Sequence, residues 1–170
     1  VNMILGGTDS SSVTDIDGNV YVTVQIGDQL WMAENLKVIH YQNGDEIPYS
    51  YNDPQYGVYV EYNNVASNVV LYGRLYNWFA VNDERGLCPV DWHVPSDYEW
   101  KELEMYLGMS ESEANSEGLR GTDEGGKLKE EGTEHWTSPN TGATNETGFT
   151  ALAGGNRRYE TYTNQEIFSG

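Results

Sequence analysis

Apolar and polar residues alternate most regularly near the start of the chain. Valine or isoleucine occupies every second position over Val20–Ile26, with Tyr21 and polar residues at the positions between. Because successive side chains of a strand point to opposite faces, this alternation predicts a half-buried β-strand. Gly27 and Asp28 form a turn signal before the next apolar run, Gln29–Met32, so a β-hairpin is expected.

Helical spacing is clearest in the second half of the chain. Ser96 followed three residues later by Glu99 is the capping-box pattern that starts a helix. Apolar residues then follow at helical spacing: Trp100, Leu103 and Leu107. The pattern predicts a helix over residues 97–107 with these apolar side chains facing the core. A second capping pattern, starting at Ser110, predicts a shorter and weaker helix.

The remaining sequence is mostly polar and predicts loops. Residues 43–68 are rich in Tyr, Asn and Pro, with one short strand expected at 58–60. The apolar residues 75–81 fit either a short buried helix or a strand, and we favour the helix. Residues 1–13 lack an apolar period and contain a Gly/Ser-rich stretch. We therefore expect a flexible tether there, followed by a single domain over 14–170.

Composition excludes several classes of partner. The 170 residues include 27 acids and 9 bases, for a formal net charge of −18. Nucleic acids and anionic membrane surfaces are excluded because both require a basic face. No apolar run is long enough for a membrane helix. Because the chain starts at Val1 rather than methionine, we expect a processed or excised piece from which a targeting segment has been removed.

Catalytic and metal motifs are scarce. The single cysteine, Cys88, excludes an internal disulfide and a thiolate metal cluster. None of the three histidines stands at zinc spacing, and we interpret His93 as a structural residue. Residues 15–19 are similar to the first half of a calcium loop, but Ile26 stands where an EF-hand needs glutamate. An Asx-type turn is the favoured interpretation of residues 15–19.

An oxygen-rich loop at residues 138–146 is the preferred place for a metal. Asn140, Asn145 and Glu146 offer the side-chain oxygens that calcium favours. We predict that calcium, if the protein binds it anywhere, binds there. The alternative is an ordinary polar loop, because loops of this composition are common without metal.

Aromatic residues allow two interpretations. The thirteen tyrosines and five tryptophans either hold together a core with few helices or form a platform for stacking sugars. Which tryptophans are exposed decides between the two.

Several motifs in fixed order resemble one known family. The most distinctive are Ile26-Gly27-Asp28-Gln29-Leu30-Trp31-Met32-Ala33-Glu34-Asn35-Leu36, Tyr72-Gly73-Arg74-Leu75-Tyr76-Asn77-Trp78, Trp92-His93-Val94-Pro95-Ser96-Asp97 and Gly148-Phe149-Thr150-Ala151-Leu152-Ala153-Gly154-Gly155. From about residue 14 onward the chain closely resembles the Fibrobacter succinogenes major paralogous domain, a family of secreted or surface-anchored bacterial domains. The resemblance implies an α+β, C-type-lectin-like fold with one or two helices on short twisted antiparallel strands and long loops. It carries no established activity.

The chain departs from this family at its end. The family continues beyond Gly154-Gly155 with a strand containing Trp-Trp-Ser-Ser and a cysteine-bearing strand, which this sequence lacks. The resemblance therefore implies a C-terminally incomplete domain, with Cys88 deprived of a possible disulfide partner. Backbone groups near Val20–Ile26 and residues 149–152 would then be unpaired. A strand from another copy or another surface protein would complete the sheet, or the remaining residues lie outside this chain.

Three functional hypotheses follow. The first is a non-catalytic, secreted or cell-surface module for binding, adhesion or surface assembly, with a filament subunit as one form. The second is a carbohydrate-binding, lectin-like domain. The third is an oxidoreductase of the formylglycine-generating type, which is disfavoured because that chemistry relies on a pair of cysteines.

Overall fold

The computed structural model describes residues 4–5, 11–51, 55–160 and 165–169. The strands are β1 Ile4–Leu5, β2 Ser12–Thr14, β3 Val20–Ile26, β4 Gln29–Met32, β5 Tyr59–Glu61, β6 Arg74–Tyr76, β7 Asn156–Glu160 and β8 Gln165–Ser169. The helices are α1 Val69–Tyr72, α2 Trp78–Val81, α3 Asp97–Tyr106, α4 Glu111–Ala114 and α5 Glu124–Leu128, and two 3₁₀ turns precede α1. Short helices beside small antiparallel sheets make an α+β fold.

The predicted hairpin is confirmed and forms the centre of the largest sheet. Strands β3 and β4 pair antiparallel from Thr23↔Met32 to Ile26↔Gln29. Gly27 closes the turn with a φ of +59°, a conformation that glycine adopts without steric cost. The sheet has the order β1-β4-β3-β2.

Most of the expected tether, residues 1–3 and 6–10, lies outside the described residues, and the tether stays a prediction. Of the described residues at the start of the chain, Ile4–Leu5 pairs with β4, and Ser12–Thr14 pairs with the first half of β3. Strand β3 therefore has a partner strand along its whole length, β2 for residues 20–22 and β4 for residues 23–26, and the expectation that it lacks a partner strand is wrong. Residues 149–152 are also partly paired, because Ala151 N donates to Leu128 O at 2.8 Å and Ala151 O accepts from Glu130 N at 3.1 Å.

The buried face of β3 changes along its length. Val20 and Val22 are 58% and 56% exposed, whereas Tyr21 is fully buried and Ile26 is 3% exposed. Tyr21 can be buried because its hydroxyl donates to Asp15 Oδ2 at 2.6 Å and accepts from Lys37 N at 2.9 Å. Burial raises the pKa of Tyr21, so this hydroxyl keeps its proton.

The predicted helix over 97–107 is confirmed as α3. The Ser96 hydroxyl accepts from Glu99 N, and the Glu99 carboxylate accepts from Ser96 N, which completes the capping box. Leu103 is fully buried and Leu107 is 7% exposed. The weaker helix is confirmed as α4, with its own capping box at Ser110.

Residues 75–81 form two elements instead of one helix. They contribute to strand β6 and then to helix α2, and Asn77 is the N-cap between them. The helix prediction holds only for the second part. The strand expected at 58–60 is confirmed as β5, one residue later, and it pairs antiparallel with β6.

Two hydrophobic clusters share strand β4. The larger contains Tyr21, Leu30, Met32, Leu36, Val38, Tyr41, Ile47, Ala80, Leu87, Cys88 and Trp92. The smaller contains Ile26, Trp31, Leu103, Leu107 and Phe149. Because Leu30 and Met32 face one cluster and Trp31 faces the other, β4 is buried on both sides.

Candidate functional site

An open cleft of about 550 Å³ lies beside α2 and the start of α3. Its aromatic residues are Trp78 and Trp92, and its polar residues include Gln42, Asn82, Ser96 and Asp97. We call it the tryptophan cleft. Mostly apolar walls with a few polar groups are typical of sites for small ligands.

Trp78 is the exposed tryptophan of the cleft. It is the first residue of α2 and is 68% exposed, whereas Trp31 is fully buried and Trp92 is 7% exposed. The N-cap before it, Asn77, accepts from Ala80 N and Val58 N, each at 3.0 Å. Asn77 therefore joins α2 to the start of β5 and fixes the backbone from which the indole projects.

The floor of the cleft is buried and holds a neutral thiol. Trp92 and Cys88 are each 7% exposed. Burial raises the pKa of the Cys88 thiol to about 12, so the thiol is protonated near neutral pH. A nucleophilic cysteine needs the opposite shift, because the thiolate is the reactive form.

An ion-pair cluster supports one wall of the cleft. Arg85 binds Asp83 through two nitrogens, each at 2.8 Å, and Asp45 through a third at 3.1 Å. Its guanidinium lies 4.0 Å from the centre of the Tyr41 ring. Hydrogen bonding to Arg85 lowers the pKa of Asp83 to about 2. The cluster joins the segment that carries Gln42 to the loop that follows α2.

The segment that carries Gln42 and the loop that follows α2 also contact each other directly. Gln42 N donates to Gly86 O at 2.9 Å, and Gln42 Nε2 donates to Cys88 O at 2.7 Å. Gly86 has a φ of +74°, and a Cβ there would lie 2.9 Å from the Gln42 side chain. Only glycine fits this approach without displacing Gln42.

His93 lies on the rim and has a carboxylate partner. Its Nε2 is 2.6 Å from Glu99 Oε1, and Glu99 Oε2 accepts from Ser96 N at 2.7 Å. Burial alone would raise the pKa of Glu99, but the hydrogen bonds from Ser96 and His93 hold it below its ordinary value. His93 is thus tied to the capping box of α3, as expected for a structural histidine.

The predicted Asx-type turn is confirmed. Asp15 Oδ1 accepts from Asp17 N and Asn19 N, each at 2.9 Å. Asp15 Oδ2 accepts hydrogen bonds from the Tyr21 hydroxyl and from Asn19 Nδ2. The Asp15 carboxylate therefore supports the turn and the core beneath it.

In the oxygen-rich loop, two of the three predicted calcium ligands, Asn140 and Asn145, already make side-chain hydrogen bonds within the protein. Asn145 Oδ1 already accepts from Thr150 N at 2.8 Å, and Glu146 is exposed. Asn140 Nδ2 donates to Glu130 O and Gly132 O, while its Oδ1 is buried without a hydrogen-bond partner in the described part of the chain. Among the described residues no three His, Cys, Asp or Glu side chains gather as metal ligands. Calcium binding at this loop stays a prediction.

The sequence analysis singled out Cys88 and His93. It did not predict that Trp78, Gln42 and Asn82 line the same cleft. The Asn77-Trp78 pair was the available signal, because asparagine is a preferred N-cap and places the next residue in the exposed first turn of a helix. The approach of Gln42 to Gly86 spans more than forty positions and has no local signal.

Comparison with known proteins gives one match. The model of a family described as the Fibrobacter succinogenes major domain matches residues 24–169. No curated protein and no solved structure matches the chain.

Proposed function

The chain belongs to the Fibrobacter succinogenes major domain family, and we propose that it is a non-catalytic binding module whose ligand site is the tryptophan cleft. The observation that carries this proposal is the exposure of Trp78 at 68% on the edge of a concave, partly polar site. An exposed indole at the edge of a concave site that also holds polar groups is placed to stack on a ligand.

Carbohydrate is the ligand class that fits the cleft best. A flat indole stacks on the apolar face of a sugar ring, and amide or hydroxyl groups bind the sugar hydroxyls. Gln42, Asn82 and Ser96 offer such groups beside Trp78. No lysine or arginine lines the cleft, and the chain carries a net charge of −18, so a neutral glycan is favoured over an acidic one.

A glycan array with and without EDTA tests this proposal and separates two kinds of sugar site. Binding by stacking on Trp78 survives EDTA, whereas a calcium-bridged site in the loop that carries Asn140 would lose binding. Trp78→Ala is expected to abolish binding with little change in stability, because the side chain is mostly exposed.

Tyr106→Ala is the matched control, because Tyr106 is 66% exposed and does not line the cleft. Its glycan binding should equal that of the unmodified protein. Equal binding by Trp78→Ala would remove the tryptophan cleft as the ligand site.

The absence of catalysis is part of the proposal. The support is the state of Cys88, whose protonated thiol lies in the cleft floor, and the presence of one cysteine in the chain. Cys88→Ser should leave glycan binding unchanged. Loss of a substrate-consuming activity in this variant would favour the formylglycine-generating type of chemistry instead.

We also propose a secreted or cell-surface location and a C-type-lectin-like arrangement, on the strength of the family resemblance. In the part of the chain that the structure describes, no helix has the length and apolar character needed to cross a membrane. Surface assembly by strand addition would use an open edge of the largest sheet, either the short edge strands β1 and β2 or the part of β3 that β2 does not cover, residues 24–26.

A further inference from the structure

A second pocket lies between the turn of the β3–β4 hairpin and helix α3. It has a volume of about 270 Å³ and is lined by residues 26–29, Glu102, Met105 and Tyr106. We call it the hairpin pocket. It shares no lining residue with the tryptophan cleft, so the two sites can be tested separately.

One wall of the hairpin pocket is apolar and aromatic. Tyr106 is the last residue of α3 and is 66% exposed. Its ring lies against the hairpin turn, since a Cβ on Gly27 would be 2.8 Å from Tyr106 Cδ2. Ile26 is almost fully buried at the base, and Met105 adds an adaptable thioether side chain. An alkyl chain can therefore pack on this wall beside an open aromatic ring.

The Glu102 carboxylate is held in the pocket by a chain of hydrogen bonds that begins in the core. Trp31 Nε1 donates to Gln29 Oε1 at 3.3 Å, and Gln29 Nε2 donates to Glu102 Oε2 at 3.1 Å. Gln29 Nε2 also donates to Glu99 O at 3.1 Å, which fixes the amide on α3. The Tyr98 hydroxyl donates to the same carboxylate, and this hydrogen bond raises the pKa of Tyr98.

The two carboxylates of the pocket lack a cationic partner. Asp97 of the same helix pairs with Lys101 at 2.7 Å, but no ion pair of the described residues includes Asp28 or Glu102. Asp28 is exposed and Glu102 is half-buried, so a ligand from solvent can reach both. A carboxylate offers about four acceptor positions, of which Glu102 uses two, so it can accept further hydrogen bonds.

We propose that the hairpin pocket binds a primary alkylammonium group, carried by a lysine side chain or by a small free amine. The three N–H donors of the ammonium match the open acceptor positions of Asp28 and Glu102. Its positive charge is attracted to the Tyr106 ring, and its alkyl chain packs beside Met105. A metal ion is disfavoured, because the remaining wall is aromatic and apolar instead of oxygen-rich.

Backbone amides of residues 27–29 in ¹⁵N-labelled protein report binding at the turn. Titration with butylammonium chloride is expected to shift them saturably, with a Kd on the order of 10 mM. Sodium chloride at equal ionic strength and neutral butanol should not produce these shifts. Absence of a saturable butylammonium shift, an equal response to butanol, or tighter binding of calcium would overturn the proposal.

Peptide arms identify the source of the amine. A short capped peptide with a central lysine is compared with the same peptide acetylated on the lysine Nζ, which removes the charge. Tighter binding of the unacetylated peptide than of butylammonium assigns the pocket to a lysine of a partner protein. Equal or weaker binding assigns it to small free amines, and both results support the site. Equal binding of the two peptides would refute it.

Variants of the two recognition groups separate binding from folding. Tyr106→Ala removes an exposed ring, and Glu102→Gln removes the charge but keeps an acceptor for the Gln29 amide. Each is expected to weaken butylammonium binding about fivefold. Tyr106→Phe keeps the ring and should retain the affinity.

Two variants outside the hairpin pocket are the controls. Glu117→Gln removes one negative charge from an exposed position, and Trp78→Ala removes an exposed aromatic ring from the tryptophan cleft. Both should bind butylammonium like the unmodified protein. Losses in these controls equal to those of Tyr106→Ala and Glu102→Gln would show that the amine binds elsewhere. Because the two sites share no residue, failure of the hairpin pocket leaves the glycan proposal standing, and the reverse also holds.

Discussion

At the scale of single residues, the buried pair of Asp15 and Tyr21 shows how a polar contact decides which side of a strand is buried. The Asp15 carboxylate accepts four hydrogen bonds, from the Tyr21 hydroxyl, the Asn19 amide and two backbone N–H groups. The alternation along β3 predicted a half-buried strand, without identifying the buried face. The structure buries Tyr21, because its hydroxyl has both an acceptor and a donor inside.

Removing that hydroxyl should destabilise the fold. We expect Tyr21→Phe to lower the free energy of unfolding by about 1–3 kcal/mol, since it removes one of the two hydrogen bonds to Asp15 Oδ2 and takes the acceptor away from the Lys37 N–H. Urea denaturation measures the change. Tyr106→Phe, at an exposed position, is the control and should change little.

Asp83 should make the free energy of unfolding depend on pH. Its pKa is lowered from 3.8 to about 2 by Arg85, so the ion pair stabilises the folded state above pH 3.8. The contribution is lost as the pH falls from there through about 2, where the folded carboxyl also protonates.

Asp83→Asn measures this effect. The difference in unfolding free energy between the unmodified protein and the variant should shrink across that acid range. A difference that stays constant from neutral pH to pH 2 would contradict the assigned role of Arg85. Asp28→Asn, at an exposed acid outside the ion pairs of the described residues, provides the baseline.

At the scale of elements, helix α3 and the β3–β4 hairpin were predicted correctly, because the sequence signals for each lie close together along the chain. Helix α3 has its capping box, its apolar spacing and its stop within a dozen residues, and the hairpin turn has its glycine between two apolar runs. Both predictions are confirmed because nearest neighbours along the chain decide these structures.

Elements shaped by distant contacts were predicted less well. Residues 75–81 divide at Asn77, whose side-chain oxygen accepts from Val58 N, just before β5 and nineteen positions away. The same limit applies to the candidate site. The aromatic residues were recognised, but the exposure of Trp78 and the wall formed by Gln42 depend on packing between remote segments.

Helix α3 should depend strongly on one leucine. Leu103 is fully buried against a cluster that includes Trp31 and Phe149. Leu103→Ala should lower the free energy of unfolding by about 2–5 kcal/mol through lost burial and a residual cavity. Chemical denaturation gives the value, with Glu117→Ala on the exposed surface as control. A change as small as that of the control would mean that α3 contributes little to the core.

At the scale of the whole molecule, the net charge opposes association between copies of the chain, whereas the open strand edges favour it. The net charge of −18 keeps copies apart, most strongly at low salt. Strand β2 is an edge of the largest sheet and favours pairing with another chain. The proposed assembly should therefore increase as salt screens the repulsion.

Light scattering with charge variants tests this expectation. Ser12→Lys lowers the net negative charge, which alone would favour association, but it places a charge on the β2 edge and should reduce association. Thr133→Lys adds the same charge in a loop and should not reduce it. A monomer at all salt concentrations would exclude assembly by this edge.

The burial of β4 on both faces has a consequence for the dynamics of the domain. Each of the two hydrophobic clusters loses part of its packing if β4 separates from β3, so neither cluster can open while the other stays intact. The backbone amides of Leu30, Trp31 and Met32 should therefore exchange with solvent deuterium only through global unfolding. Their exchange rates report the stability of both clusters at once, which makes the two a single cooperative unit.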